Sequence, residues 1–349
     1  MNSRAIAQQR MWNQRLWGTR FRTAEEVVAW LGAMQAQELP VAKWSVGQRC
    51  LGVDETAIDR ALAHGSILRT HILRPTWHFV VPADIRWMLT VSAPRVHKLN
   101  GSYYRKLELE PDVLDESERL LGRALDGRQL TRTEIAAALE GAGISAAGLR
   151  LGYILMHAEL EAVICSGAPR GKQPTYALFD NRVPPNPPVQ HDDALAELAR
   201  RYFTSRGPAT PKDFASWASL TVADARAALE MIGSQLEHEV VDGRTYSFVP
   251  SSSRPAVASP MLDLVQGYDE CIMSYRESKD VLRRPDATGV DTVVYTHAVL
   301  LDGQVVGHWR RAPSAKSVAI ETSLYRPLDH AEEAALDGAI ERFRQFSVQ

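Results

Sequence analysis

The stretch TRTEIAAALEGAGISAAGLRLGYILMHAELEAVICSGAPRGKQPTYAL, Thr131 to Leu178, decides the fold class. It opens on Thr131-x-x-Glu134, a pair whose side chains can cap a helix N-terminus reciprocally. Ile135 and Leu139, then Leu149, Tyr153, Met156 and Leu160, recur at helical intervals and predict two helices. The segment Ala162–Leu178 is β-rich and turns around Gly167–Gly171, which predicts a hairpin. An amphipathic segment, Glu116–Leu125, precedes it all. Helix, helix, helix, hairpin is the layout of a winged helix.

The same order returns on both sides. Upstream, Ala5–Trp17, a helix opening at Thr23-x-x-Glu26, Asp54–Ala63 and the β-rich Ile67–Val81 form a first copy. That copy carries Val41–Gly52 as an insertion between its second and third helices. Downstream, Leu195–Phe203, a helix opening at Thr210-x-x-Asp213, Val222–Ile232 and Leu236–Val249 around Asp242-Gly243 form a third. Val183-Pro-Pro-Asn-Pro-Pro188 reads as an extended spacer, and the Ser/Pro-rich Ser251–Pro260 marks the exit from the third copy. Beyond it, strands Val293–Leu300 and Val305–Arg310 flank Asp302-Gly303. Val318–Leu324 reads as another strand, and Asp329 caps a helix running to about Phe346. The expected class is α+β: three tandem winged-helix units over 1–110, 111–188 and 189–252, then a β-rich domain over 253–349 with a terminal helix.

Bulk composition narrows the function. The overall charge is −2, yet residues 1–106 hold 15 Lys+Arg against 7 Asp+Glu, leaving 25 against 35 for the remainder. Such asymmetry is a hint of a surface for a polyanion. Cys50, Cys165 and Cys271 lie far apart with no C-x-x-C, which excludes a zinc finger or an iron–sulfur cluster and suits reduced thiols. Neither a signal peptide in Met1–Arg22 nor an apolar run of membrane-spanning length is read. A soluble, cytoplasmic chain that needs no cofactor or metal is expected.

The candidate chemistry lies in Thr23–Pro40, TAEEVVAWLGAMQAQELP. Val27, Leu31 and Met34 form an apolar stripe, and Pro40 is read as its end. Gln35 and Gln37 then fall at the helix's last turn. On an ideal helix two residues apart point about 200° from each other, whereas a non-helical terminus with a period near two puts both amides on one side. A joint role therefore requires that the helix end at or before the pair.

Gly32-Ala-Met-Gln-Ala-Gln37, followed by Trp44-Ser-Val-Gly-Gln-Arg49, resembles the signature of the AlkZ-type DNA glycosylases. Arg69-Thr-His-Ile-Leu-Arg-Pro-Thr-Trp-His-Phe-Val80 is similar to that family's first-wing segment. Tyr268-Asp-Glu270 with Tyr275-Arg276, and Asp302-Gly-Gln-Val-Val-Gly-His-Trp-Arg310, resemble its C-terminal part. The matches run in order over nearly the whole chain. The resemblance implies tandem winged helices with a β-rich C-terminal domain, and a monofunctional glycosylase excising alkylated purines, some members unhooking interstrand crosslinks. Where the family's wing usually has glycine after the residue matching Arg74, this chain has Pro75. Glutamine at position 37, rather than aspartate, places it with the branch that includes crosslink-resistance proteins.

On that resemblance Gln35 and Gln37 are the expected catalytic residues. A purine alkylated at N7 or N3 is cationic, so its glycosidic bond is already weakened. A glutamine carbonyl can orient the attacking water without acting as a base. Arg69 and Arg74 are candidates for phosphate contacts, and His78, between Trp77 and Phe79, joins them as a DNA-binding candidate, although a strand histidine is often a structural hydrogen-bonder. Trp44 and Trp77 are read as core or as stacking platforms, and Arg150 and His157 as possible groove-facing residues. Asp269 and Glu270, read on a strand and so pointing to opposite faces, are taken as supporting residues. The expected partner is double-stranded DNA carrying alkylated purines, bound by a monomer away from membranes. A winged-helix transcription regulator and a non-catalytic binder of alkylated DNA remain alternatives, because fold alone does not decide function.

Overall fold

The computed structural model of the chain describes residues 1–250, 259–283, 297–312 and 319–347. In chain order the elements begin with α1 (Ser3–Asn13), α2 (Ala24–Leu31), β1 (Ala33–Gln35), α3 (Leu39–Gly47), α4 (Glu55–His64), β2 (Leu68–His71), β3 (Trp77–Val80) and α5 (Pro82–Lys106). Next come α6 (Pro111–Ala124), β4 (Leu130–Thr131), α7 (Arg132–Gly141), α8 (Leu149–Leu160), β5 (Ile164–Ser166) and β6 (Thr175–Leu178). Then follow α9 (His191–Ser205), α10 (Pro211–Trp217), α11 (Val222–Met231), β7 (Glu237–Val241) and β8 (Arg244–Phe248). The chain closes with β9 (Leu262–Val265), α12 (Glu270–Met273), β10 (Ala298–Leu301), β11 (Gln304–Ala312), β12 (Ala319–Leu324) and α13 (His330–Ser347). It is a mixed helical and antiparallel-sheet protein, and no helix among the described residues is long and apolar enough to cross a membrane. Two compact units form, one from 1–58, 199–217 and 221–349, the other from 59–198 and 218–220.

The second unit contains the decisive stretch. Thr131 caps α7 as its sequence requires: Glu134 N donates to Thr131 Oγ1 (3.3 Å) and Thr131 N to Glu134 Oε2 (2.7 Å). That backbone N–H, with Arg170 beside it, holds the Glu134 carboxyl down at about 2. Helix α8 starts at Leu149, where its apolar pattern begins, just after Gly148, whose φ of +56° glycine adopts without strain. Its buried face is Leu151, Ile154, Leu155 and Ala158, packed with Leu121, Leu125, Ile135 and Leu139. Leu149 lies in the first turn, 65% exposed, so it falls off the stripe its spacing predicts. Strands run in the order β4-β6-β5, closing the helices with a small sheet. In the same unit β2 and β3 pair antiparallel, Leu68 opposite Val80 through His71 opposite Trp77.

In the first unit, Thr210 and Asp213 form the expected reciprocal pair at the start of α10. Asp213 does more: its buried Oδ1 also accepts from the backbone N–H groups of Arg276, Glu277 and Ser278. The β7–β8 hairpin turns at Asp242-Gly243, both at positive φ, and Ala209 bridges to Ser247 in β8. The C-terminal sheet has the order β12-β11-β10-β9, with Asp302-Gly303 in the turn between β10 and β11. Asp329 caps α13, accepting from Ala331 N and Glu332 N. Trp44 is core: its ring packs on Phe343 and Phe346 of α13, and its Nε1 donates to Leu264 O (2.6 Å).

Three local expectations are corrected. Helix α2 stops at Leu31, because Gly32 leaves the helical region at φ +72°. Leu39–Gly47 is itself a helix, and Pro40 opens it instead of closing the previous one, since proline's missing N–H costs nothing in a first turn. Asp269 and Glu270 begin a short helix rather than lying on a strand, with Asp269 as its cap. The expected joint at residues 251–258, the strand positions 293–296 and Val318 lie outside the described residues.

Candidate active site

Because α2 ends early, Ala33–Gln35 is extended and Gln35 and Gln37 sit two apart on non-helical backbone. That is the condition a joint role requires, since a period of two brings both side chains to one side. The two differ in setting. Gln35 is 5% exposed, and its Oε1 is buried without a hydrogen-bond partner. Gln37 lies in the bend that follows, exposed. A buried amide carbonyl with an unused acceptor is costly, by about 1–3 kcal/mol. Such a group is a natural place for a bound water or substrate atom.

What holds Gln35 is a buried charge pair that sequence reasoning only half anticipated. Gln35 N donates to Glu270 Oε1 (2.8 Å). Glu270 Oε2 accepts from Arg206 Nη2 (2.8 Å) and Nε (3.1 Å), from Ser274 Oγ (2.7 Å) and from Trp217 Nε1 (2.9 Å). Arg206 in turn donates to Leu31 O (2.7 Å) and Ala33 O (2.8 Å), the carbonyls on either side of Gly32. The turn that ends α2 and the strand that carries Gln35 are thus bolted by one Arg–Glu pair. Four donors thus converge on Oε2 while Oε1 takes the Gln35 N–H, so this carboxylate ties Arg206, Ser274 and Trp217 to the strand of Gln35, a positional role.

Asp269 anchors a second pair. Arg49 meets it with two parallel bonds of 2.8 Å, and also donates to Gln14 O (2.8 Å) and Ser45 O (2.6 Å). Burial alone would raise the Asp269 carboxyl, but the Arg49 guanidinium outweighs it and leaves the acid below its ordinary range. The neighbouring acids thus serve different arginines: Asp269 holds α3 through Arg49, and Glu270 holds β1. A third arginine, Arg10, is equally buried, stacked 3.6 Å over Tyr275 and bonded to Ser278 and Pro208 O. Arg206 was missed in the sequence. Its one sign is a cation placed directly before Gly207-Pro208 at the end of an amphipathic helix.

The wing candidates belong to the other unit. Arg69 stacks 4.3 Å over the Trp77 ring, and burial pushes its guanidinium down. Arg74 Nη2 lies 3.0 Å from His78 Nε2, and His78 Nδ1 lies 2.8 Å from Thr76 O. His78 is fully buried with both ring nitrogens engaged, so it orients Arg74 from inside the hairpin. Arg74 and Pro75 occupy a tight tip, with Arg74 N donating to Ile72 O (2.6 Å) and Thr76 N to Arg74 O (2.7 Å). Pro75, having no N–H, removes no bond from this turn. Arg150 donates to the backbone carbonyls of Leu107, Glu108 and Ser145, and His157 to Glu118, so neither points into open space. All three cysteines are free and buried, with the Cys50 and Cys165 thiols pushed up to about 12 by burial. Such thiols are poor nucleophiles.

The family model described as DNA glycosylase AlkZ-like matches residues 28–346, a span holding the glutamine segment, the hairpin and the C-terminal sheet. The protein is thus a DNA glycosylase, a DNA-repair enzyme. More narrowly, the chain belongs to the AlkZ-like DNA glycosylase family. A curated relative, the interstrand DNA cross-link repair glycosylase of Streptomyces sahachiroi, is 27% identical over 307 residues, covering 82% of each chain. The solved structure of Streptomyces sahachiroi DNA glycosylase AlkZ matches with a TM-score of 0.79 at 22% identity, over 99% of this chain and 96% of that one. That likeness establishes the fold.

Proposed function

We propose that this glycosylase hydrolyses the N-glycosidic bond of cationic purines alkylated at N7 or N3 in double-stranded DNA, interstrand crosslinks among them. Gln35 and Gln37 are its catalytic residues. The observation that carries this reading is the buried Gln35 Oε1, an acceptor left open on a strand fixed by Arg206 and Glu270. A water bound there and aligned against the sugar needs no strong base, because the leaving purine is already charged. Two neutral amides beside a carboxylate already paired with Arg206 favour such activated substrates over ordinary purines.

The chain acts on DNA as a monomer in the cytoplasm. Its helix–helix–helix–hairpin strings are three winged helices in tandem, over 1–110, 111–188 and 189–252, ahead of the β-rich 253–349. Arg69 and Arg74 meet phosphates, and His78 contributes by holding Arg74. The test is a duplex with a single N7-methylguanine, incubated with wild type and Gln37→Ala and then treated with hot alkali to cut abasic sites. Cut strand from wild type alone supports the reading. If wild type binds this duplex and a crosslinked one yet cuts neither, the protein is a binder of damaged DNA and the catalytic assignment fails.

A further inference from the structure

His97 on α5, His157 on α8 and Glu161 just past the end of α8 form a cluster that the glycosylase chemistry does not use. One donor atom from each lies within 4.8 Å of the others. All three belong to the same compact unit. The two imidazole rings stand with centroids 4.7 Å apart.

Each histidine is held through its inner nitrogen. His97 Nδ1 lies 2.9 Å from the Tyr104 hydroxyl, and His157 Nδ1 lies 2.8 Å from Glu118 Oε1. The Glu118 carboxylate accepts from His157 Nδ1 and leaves His157 Nε2 with its lone pair, and a carboxylate behind an imidazole is the usual outer support of a metal-bound histidine. His97 Nε2 is buried, lies 2.9 Å from Glu161 Oε1 and makes no hydrogen bond of good geometry. The cluster thus presents two imidazoles, one of them with a buried nitrogen that lacks a well-formed hydrogen bond, and a carboxylate at one point.

We infer that His97, His157 and Glu161 form a binding site for one zinc ion, joining α5 to α8. Two imidazoles and one carboxylate suit zinc among the borderline cations and disfavour magnesium, which prefers oxygen ligands. A tetrahedral ion with bonds of about 2.0–2.1 Å sets its ligand atoms about 3.3 Å apart. The 2.9 Å contact opens by a few tenths of an ångström, and no pair closes by more than about 1.5 Å. Glu161, 48% exposed at its side chain, is free to swing, and the histidines at 20% and 16% stay anchored. The exposed side leaves a fourth position for water. Glu118 and Glu161 together offset the ion's charge.

The test uses the full-length, untagged chain, stripped with a chelator and dialysed against zinc at micromolar concentration. Metal content is read by elemental analysis, and the unfolding temperature is read with and without zinc. One zinc per chain and a raised unfolding temperature are expected, since a ligand bound only by the folded state stabilises it. Glu161→Gln, a nearly isosteric change at a side chain 48% exposed, should weaken binding at least about tenfold and erase the temperature rise. Glu118→Gln should weaken it about 10- to 100-fold through the lost outer support. Wild type that retains no zinc, or Glu161→Gln that binds as wild type does, would overturn the assignment.

Discussion

The strand carrying Gln35 and the β2–β3 hairpin both depend on arginine, and they use it in opposite ways. In the first, Arg206 and Arg49 are fully buried and their charges are consumed by Glu270, Asp269 and backbone carbonyls. In the second, Arg69 lies over Trp77 and Arg74 beside His78, both at half-buried positions of a hairpin. A buried, saturated guanidinium can only hold structure. The hairpin arginines instead meet an aromatic ring and an imidazole nitrogen, and under the proposed function they meet phosphates. Residue type alone does not separate these roles; what surrounds the guanidinium does.

The sharpest way to break this contrast is Glu270→Ala. It strands Arg206 as an uncompensated buried charge, so a loss of about 3–5 kcal/mol is expected in urea unfolding. Excision should fall with it, because Gln35 N and the Gly32 turn lose their clamp. A stable, active Glu270→Ala protein would refute the positional role. Next in size, Gln35→Ala and Gln37→Ala should each lower single-turnover excision by about 100-fold, the scale of misplacing a reacting atom. Duplex affinity should barely change. Equal loss of binding in both variants would move these residues from chemistry to DNA contact.

Arg74→Ala probes the other side of the comparison. Duplex binding should weaken, and the slope of log affinity against log salt should flatten by about 1, the signature of one lost phosphate contact. Excision at saturating enzyme should persist. An unchanged salt slope would make Arg74 structural, like Arg206. A last test varies pH and concerns Asp269. Its folded pKa is depressed below the ordinary 3.8 by Arg49, against the opposing pull of burial. The carboxylate therefore contributes stability that is fully present above that ordinary value and lost as pH falls through the folded one. Stability measured across acid pH should drop on that limb, and Asp269→Asn should flatten it.

Much of the fold is legible because local rules leave few choices. Thr131 with Glu134, Thr210 with Asp213, and Asp329 each satisfy otherwise unpaired first-turn N–H groups within three residues, so their signal is complete in sequence. Asp242-Gly243 and Asp302-Gly303 name their turns because the backbone there runs at positive φ. The end of α2 was less readable. Gly32 carried the stop signal, but the apolar stripe ran on through Met34, and Pro40 looked like the end when it is a beginning.

The sequence alone determined that glutamines 35 and 37 could act together only off a helix, and that arginines cluster on the first hairpin. Tertiary structure decided which acids and which arginines hold that site. Glu270 is 235 residues from Gln35 and 64 from Arg206. No periodicity or cap links positions that far apart. Such a pair becomes specified only when the chain's packing removes water, leaving each buried charge nowhere to go but to the other.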